Sequence, residues 1–190
     1  TTEKPKPPQP TNVTVTAKDD TTLEVKWDPP TSRTETIKYH AEVKSHSAQG
    51  CSPSGDAPQT CSITSLSPYT NYTIVVRACY EKESSNSDCR ESEGVTGLTL
   101  TSDPVSVKVT AIDNSTLEVS WEHPRTNAGI KRYTACVQSS PEQNCSTNDT
   151  GKTCIITNLQ PSNDYSIIVK SCDEEGVCSV GVSVTGHTKP

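Results

Sequence analysis

Nine cysteines are the residues of this chain best able to do chemistry, and their spacing decides which chemistry that is. None stands in a Cys-x-x-Cys pair. The nearest two, Cys172 and Cys178, are six apart, so neither a zinc ribbon nor a dithiol redox motif has its ligand spacing. What remains for so many thiols is disulfide formation in an oxidising compartment. The four histidines, His40, His46, His123 and His187, add no catalytic or metal set. Only His40 and His46 share a face, with Glu42 and Lys44 between them on the outward side of one expected strand, and one strand alone cannot close a coordination shell. No histidine precedes a nucleophile, no glycine-rich loop opens a helix, and no carboxylate pair is framed by core strands. The acidic run from Glu81 to Glu93 lacks an EF-hand spacing and reads as a solvated loop. No enzyme and no cofactor is therefore expected. Five Asn-x-Ser/Thr acceptors, at Asn12, Asn71, Asn114, Asn144 and Asn148, agree with an extracellular setting.

The elements that must carry these residues are built from an unusual composition. Of 190 residues only 30% are hydrophobic, with no Phe, while Thr and Ser number 27 and 24. Aliphatic poverty of this kind suggests disorder only when net charge is high, and here it is −6. Thr favours strands, so a small β core beneath a hydroxyl-rich surface is expected. No run approaches the ~18 apolar residues of a membrane span, and no apolar leader opens the sequence at Thr1. The chain reads as a fragment without direct membrane contact, its leader or anchor lying elsewhere. A sequence pI near 5.2, with basic residues scattered singly, excludes a nucleic-acid surface.

The sequence repeats itself. Residues 13–30, VTVTAKDDTTLEVKWDPP, return as VKVTAIDNSTLEVSWEHP at 107–124, an offset of 94 that also carries Trp27 onto Trp121 and Tyr39 onto Tyr133. Later the offset is 93, with LSPYTNYTIVVRAC at 66–79 matching LQPSNDYSIIVKSC at 159–172. So long a period is the size of a whole domain. Residues 1–7 read as a Pro/Lys-rich linker, 8–101 as a first domain and 102–190 as a second, joined near Thr101-Ser102-Asp103. Within each copy the period is two: Val13, Val15 and Ala17; Leu23, Val25 and Trp27; Tyr39, Ala41 and Val43; Tyr72, Ile74, Val76 and Ala78. Short alternating strands between turn residues predict two consecutive all-β sandwiches.

The string V-x-V-x-A…L-E-V-x-W-x-x-P, a Tyr heading the third strand, and L-x-P-x-x-x-Y-x-I-x-V resemble the fibronectin type III domain across almost the whole chain. The resemblance implies that Trp27 and Trp121 fill the two cores. It also implies that Tyr72 and Tyr165 form tyrosine corners, each hydroxyl bonding backbone upstream.

Matching the copies assigns the cysteines. Cys61 and Cys154 lie five residues before Leu66 and Leu159, with Cys51 and Cys145 ten and nine residues earlier still. Cys79 and Cys172 end the tyrosine-corner strand and are followed at ten and six residues by Cys89 and Cys178. The expected pairs are 51–61, 79–89, 145–154 and 172–178, each closing a local loop. Similar loops carry the disulfides of class II cytokine receptors. Cys136 is left over, on the solvent side of its strand: a partly covered thiol, a link to a second molecule in a disulfide dimer, or a 136–172 bridge, since the resemblance places those two strands side by side.

Surface remains as the site of function. The resemblance implies an extracellular protein-binding and spacer module of a cell-surface receptor or adhesion protein, such as a receptor tyrosine phosphatase ectodomain. Cytokine-receptor-like ligand capture is the alternative, and an enzyme ranks behind both. The partner would be an extracellular protein ligand or matrix component. Because a glycan keeps its patch solvated, the acceptor-free stripe His40, Lys44 and His46, together with Glu81 and Glu83 in the loop 80–88, is the expected binding surface.

Overall fold

The computed structural model describes residues 6–29, 36–53, 59–81 and 89–190, and the chain divides into two compact units, Thr1–Thr99 and Leu100–Pro190. The first contains β1 (Thr11–Ala17), β2 (Leu23–Asp28), β3 (Ile37–Val43), β4 (His46–Cys51), β5 (Thr60–Ile63), β6 (Asn71–Tyr80), β7 (Arg90–Glu91) and β8 (Val95–Leu98). The second contains β9 (Val105–Ala111), β10 (Leu117–Glu122), β11 (Arg132–Val137), β12 (Ser140–Asn148), β13 (Thr153–Ile156), β14 (Asp164–Cys172) and β15 (Val182–His187). Each unit is a sandwich. In the first, a sheet of order β1-β2-β5 faces one of order β4-β3-β6-β7, with β8 also paired to β6. In the second, β13-β10-β9 faces β12-β11-β14-β15. All the pairings are antiparallel, and no helix occurs among the described residues.

The period-two residues line the space between the sheets. Leu23, Val25, Ala41, Ile74 and Val76 are wholly buried in the first core, and Leu117, Val119, Ala135, Ile167 and Val169 in the second. Trp27 lies 5.8 Å from Tyr39 and Trp121 lies 5.6 Å from Tyr133, centroid to centroid, so one tilted aromatic pair supplies the bulk that Phe would otherwise bring to each core. The Tyr72 hydroxyl accepts from the Ser67 amide at 2.8 Å, and the Tyr165 hydroxyl from the Gln160 amide at 2.6 Å. Both corners bind backbone five residues upstream, which fixes the crossing between the sheets.

The repeat extends to irregularities. Asn12 and Ser106, matched by the 94-residue offset, both take left-handed backbone with φ of 51° and 53°, at the bulges that interrupt pairing near the start of β1 and β9. A further repeat closes each unit: V-T-G-L-T at 95–99 and V-T-G-H-T at 184–188. Its glycine lets the last strand lie against the first, because a Cβ at Gly97 would strike Val15 and one at Gly186 would strike Val109.

Structure corrects the expected histidine stripe. The third strand stops at Val43, Lys44 and Ser45 form a tight turn, and His46 begins β4 opposite Val43. His40 and His46 therefore stand on different strands. The turn has Ser45 as its one, weak, turn residue and lacks Gly, Pro, Asn and Asp, so pairing of Ala41 with Cys51 and Glu42 with Gly50 is what reveals it.

Candidate functional site

The disulfides frame every candidate surface. The structure closes Cys51–Cys61, Cys79–Cys89, Cys145–Cys154 and Cys172–Cys178, and Cys136 is a free, half-buried thiol. Cys51 on β4 meets Cys61 on β5, and Cys145 on β12 meets Cys154 on β13, so each of these bonds ties the edges of two opposed sheets. These four sulfurs pack against the cores. The other two bonds clip the connection between the tyrosine-corner strand and its partner. Closing such loops contributes roughly 2–3 kcal/mol each when unstrained.

On the solvent side of β3 and β6 the first unit carries a linked set of charges. Glu42 is 6% exposed although its side chain leaves the core. Its carboxylate takes Arg77 Nε at 3.0 Å, and Arg77 Nη2 reaches Glu91 on β7 at 2.7 Å. His40 Nε2 lies 3.8 Å from the second oxygen of Glu42, while its Nδ1 contacts Ser52 Oγ at 3.0 Å. The imidazole lies over Gly50, where any Cβ would meet His40 itself. Further along, Lys38 pairs with Glu81 at 3.3 Å. Glu83 lies outside the described residues, as does most of the loop 80–88.

Lys44 and His46 are exposed at the opposite end of this sheet. There the Lys44 amide donates to Thr73 O at 2.9 Å, and Thr73 completes the acceptor Asn71-Tyr72-Thr73. A glycan on Asn71 would thus stand near Lys44, which corrects the expectation of an acceptor-free stripe at that end and leaves the His40–Arg77–Glu81 end open. The other acceptors are also exposed. Asn12 Nδ2 donates to Asp28 at 2.7 Å, Asn144 Nδ2 donates to the carbonyls of Pro141 and Glu142 at 2.9 and 3.1 Å, and Asn148 Oδ1 caps the Thr150 and Gly151 amides at 3.2 and 3.0 Å. Asn114 sits in the turn between β9 and β10.

The second unit differs at matched positions. Cys136 replaces Glu42, Thr134 replaces His40, Lys170 replaces Arg77 and Ile168 replaces Val75. Cys136 pairs across the ladder with Ile168, whereas Cys172 is paired with Arg132 and bonded to Cys178. Among the described residues no three His, Cys, Asp or Glu side chains could hold a metal ion, and no helix is long and apolar enough to cross a membrane.

Sequence reasoning missed the Glu42–Arg77 pair because its partners are 35 residues apart and meet only through the β3–β6 register, in which Glu42 opposes Val75 and His40 opposes Arg77. The V-T-G-x-T repeat was a signal that could have located the closing strands.

The family model described as "Fibronectin type III domain" matches residues 8–90 and 102–184. Among curated proteins the chain is similar to usherin of Rattus norvegicus, 31% identical over 124 residues, and to usherin of Mus musculus, 30% identical over the same length. Each match covers 63% of this chain and 2% of the usherin sequence, so the chain spans a small part of those relatives. Solved structures similar to it include the chicken CNTN1 FN1–FN3 domains, at 18% identity and a TM-score of 0.46, covering 98% of this chain and 69% of that one. A two-domain fibronectin type III segment of chicken tenascin has 19% identity and a TM-score of 0.42, covering 94% and 99%. With the motif, the tyrosine corners and the family model all present in both copies, the chain belongs to the fibronectin type III family as a tandem pair of its domains.

Proposed function

We propose that this chain is a non-catalytic, extracellular protein–protein interaction and spacer module of a cell-surface receptor or adhesion protein. Its partner would be an extracellular protein or matrix component. One observation carries the reading. The two copies share core, corners, bulges and closing strands, yet diverge on the outer face of one sheet, where the first buries Glu42 against Arg77 and the second has Cys136. Burying a carboxylate costs several kcal/mol before its partner compensates, and the second copy folds the same sheet without one. A sandwich of this family therefore does not require the charged set, which supports a role for that face in recognition.

The proposed surface comprises His40, Glu81 and, from the sequence alone, Glu83, and it extends to Lys44 and His46 where the neighbouring acceptor Asn71 is bare. Complementary charges across such a face would favour encounter and orientation over raw affinity. Four intrachain disulfides and five acceptors support the extracellular setting, which would allow a minor dimer linked through Cys136. The test uses the full chain. Extracellular material from its source is passed over wild type, Lys44→Glu and Glu81→Lys, and bound proteins are identified by mass spectrometry. A partner held by wild type and lost by both variants supports the surface; one held equally by all three removes it from the first unit.

A further inference from the structure

We propose that Asn144 carries a glycan that stands over Cys136 and screens its thiol, an inference that rests on the extracellular reading above. Asn144-Cys145-Ser146 is an acceptor, and Asn144 is exposed on β12. Register places it directly opposite Cys136 on β11. Cys145, the residue between Asn144 and Ser146, packs against the core and bonds to Cys154. Alternation therefore puts Asn144 on the solvent face together with Cys136. Residues directly opposite in an antiparallel pair hold their Cβ atoms about 4.5–5.5 Å apart, within the footprint of a single sugar.

The neighbours leave room. Thr134 and Ser146, the next outward pair along the two strands, are short, and Ile168 flanks Cys136 on the side away from Asn144. Asn144 Nδ2 uses its two protons on the carbonyls of Pro141 and Glu142. Transfer from a polyprenyl-diphosphate oligosaccharide breaks the C1–O bond to the diphosphate and forms C1–Nδ2. The nitrogen releases one proton and the lipid diphosphate leaves. Because C1 takes the place of one of these protons, one carbonyl bond is given up and the side chain turns to admit the sugar, while the surviving N–H is left to hold a carbonyl.

The first copy fills the equivalent position differently. There Gly50 opposes Glu42, and the His40 ring lies over that glycine. A cover at this place in the sheet is thus protein in one unit and carbohydrate in the other.

The test is expression of the full chain in secreting eukaryotic cells, with site occupancy read by peptide mass spectrometry. Cys136 is then titrated with a polymer-bearing maleimide and, in parallel, with iodoacetamide. Ser146→Ala abolishes the acceptor while leaving Asn144 and its hydrogen bonds in place. The expected result is an occupied Asn144, and several-fold faster maleimide reaction in Ser146→Ala with a smaller change for iodoacetamide. Equal maleimide rates in wild type and Ser146→Ala, with Asn144 occupied, would overturn the screening. A bare Asn144 beside other occupied acceptors would overturn the inference and leave the extracellular reading standing. If all five acceptors were bare, that reading would fail as well.

Discussion

Thr99 donates its hydroxyl proton to the carbonyl of Ser67 at 2.7 Å, and the same oxygen accepts from the Thr70 amide at 2.9 Å. Thr188 repeats this on Gln160 O at 2.7 Å and the Asn163 amide at 3.1 Å. Both threonines are buried, at 1% and 0% exposure. Each locks the end of its unit's final strand to the loop that carries the tyrosine corner.

Thr188→Val keeps the shape and removes the hydroxyl's bonds to the partly buried Gln160 carbonyl and Asn163 amide. Losing two such bonds costs about 1–3 kcal/mol. Chemical denaturation should show the second unit's transition shifted by that amount and the first unit's unmoved. Thr99→Val should do the reverse.

Trp121 is 2% exposed, and its indole Nε1 has no hydrogen-bond partner among the described residues. Trp121→Ala should cost ~3–5 kcal/mol, a large part of a small domain's total stability. Trp121→Phe keeps a ring against Tyr133 and removes the unpaired N–H, so it should lose less than half as much. Thermal melts of the two variants check the order.

The Asp113 carboxylate lies below its usual value of 3.8, held there first by the Ser115 amide, which it accepts at 2.8 Å. A lowered folded pKa means that the unfolded chain binds the proton more readily. The stabilisation is therefore complete above the ordinary aspartate range and is lost as pH falls through the lowered value. Asp113→Ala should lower Tm at pH 6, and the gap from wild type should close progressively below about pH 4. A gap that stayed constant down to pH 2 would show that the carboxylate's charge is irrelevant.

Much of this was legible in the sequence because it is local or repeated. Alternation around Leu23–Trp27 and Tyr72–Ala78 marked the inward faces, and the doubled motif marked two sandwiches. The cysteine spacings pointed to short loops, which need no knowledge of long-range register. What stayed hidden depends on pairing between distant strands. Glu42 reads as an ordinary outward charge until β6 sets Arg77 across its carboxylate. His46 reads as a continuation of β3 because Lys44-Ser45 offers only the weak turn signal of one serine. The opposition of Asn144 and Cys136 likewise exists only through the β11–β12 register, which a bulge shifts one residue further on.

The most direct measurement is the affinity of the full chain for its captured partner, compared across the two sheet faces. Lys44→Glu and Glu81→Lys alter the first unit's face, and Lys170→Glu alters the matched face of the second. The account predicts weaker binding for the first two and wild-type binding for the third. Loss of binding confined to Lys170→Glu, with the first-unit variants unaffected, would contradict it.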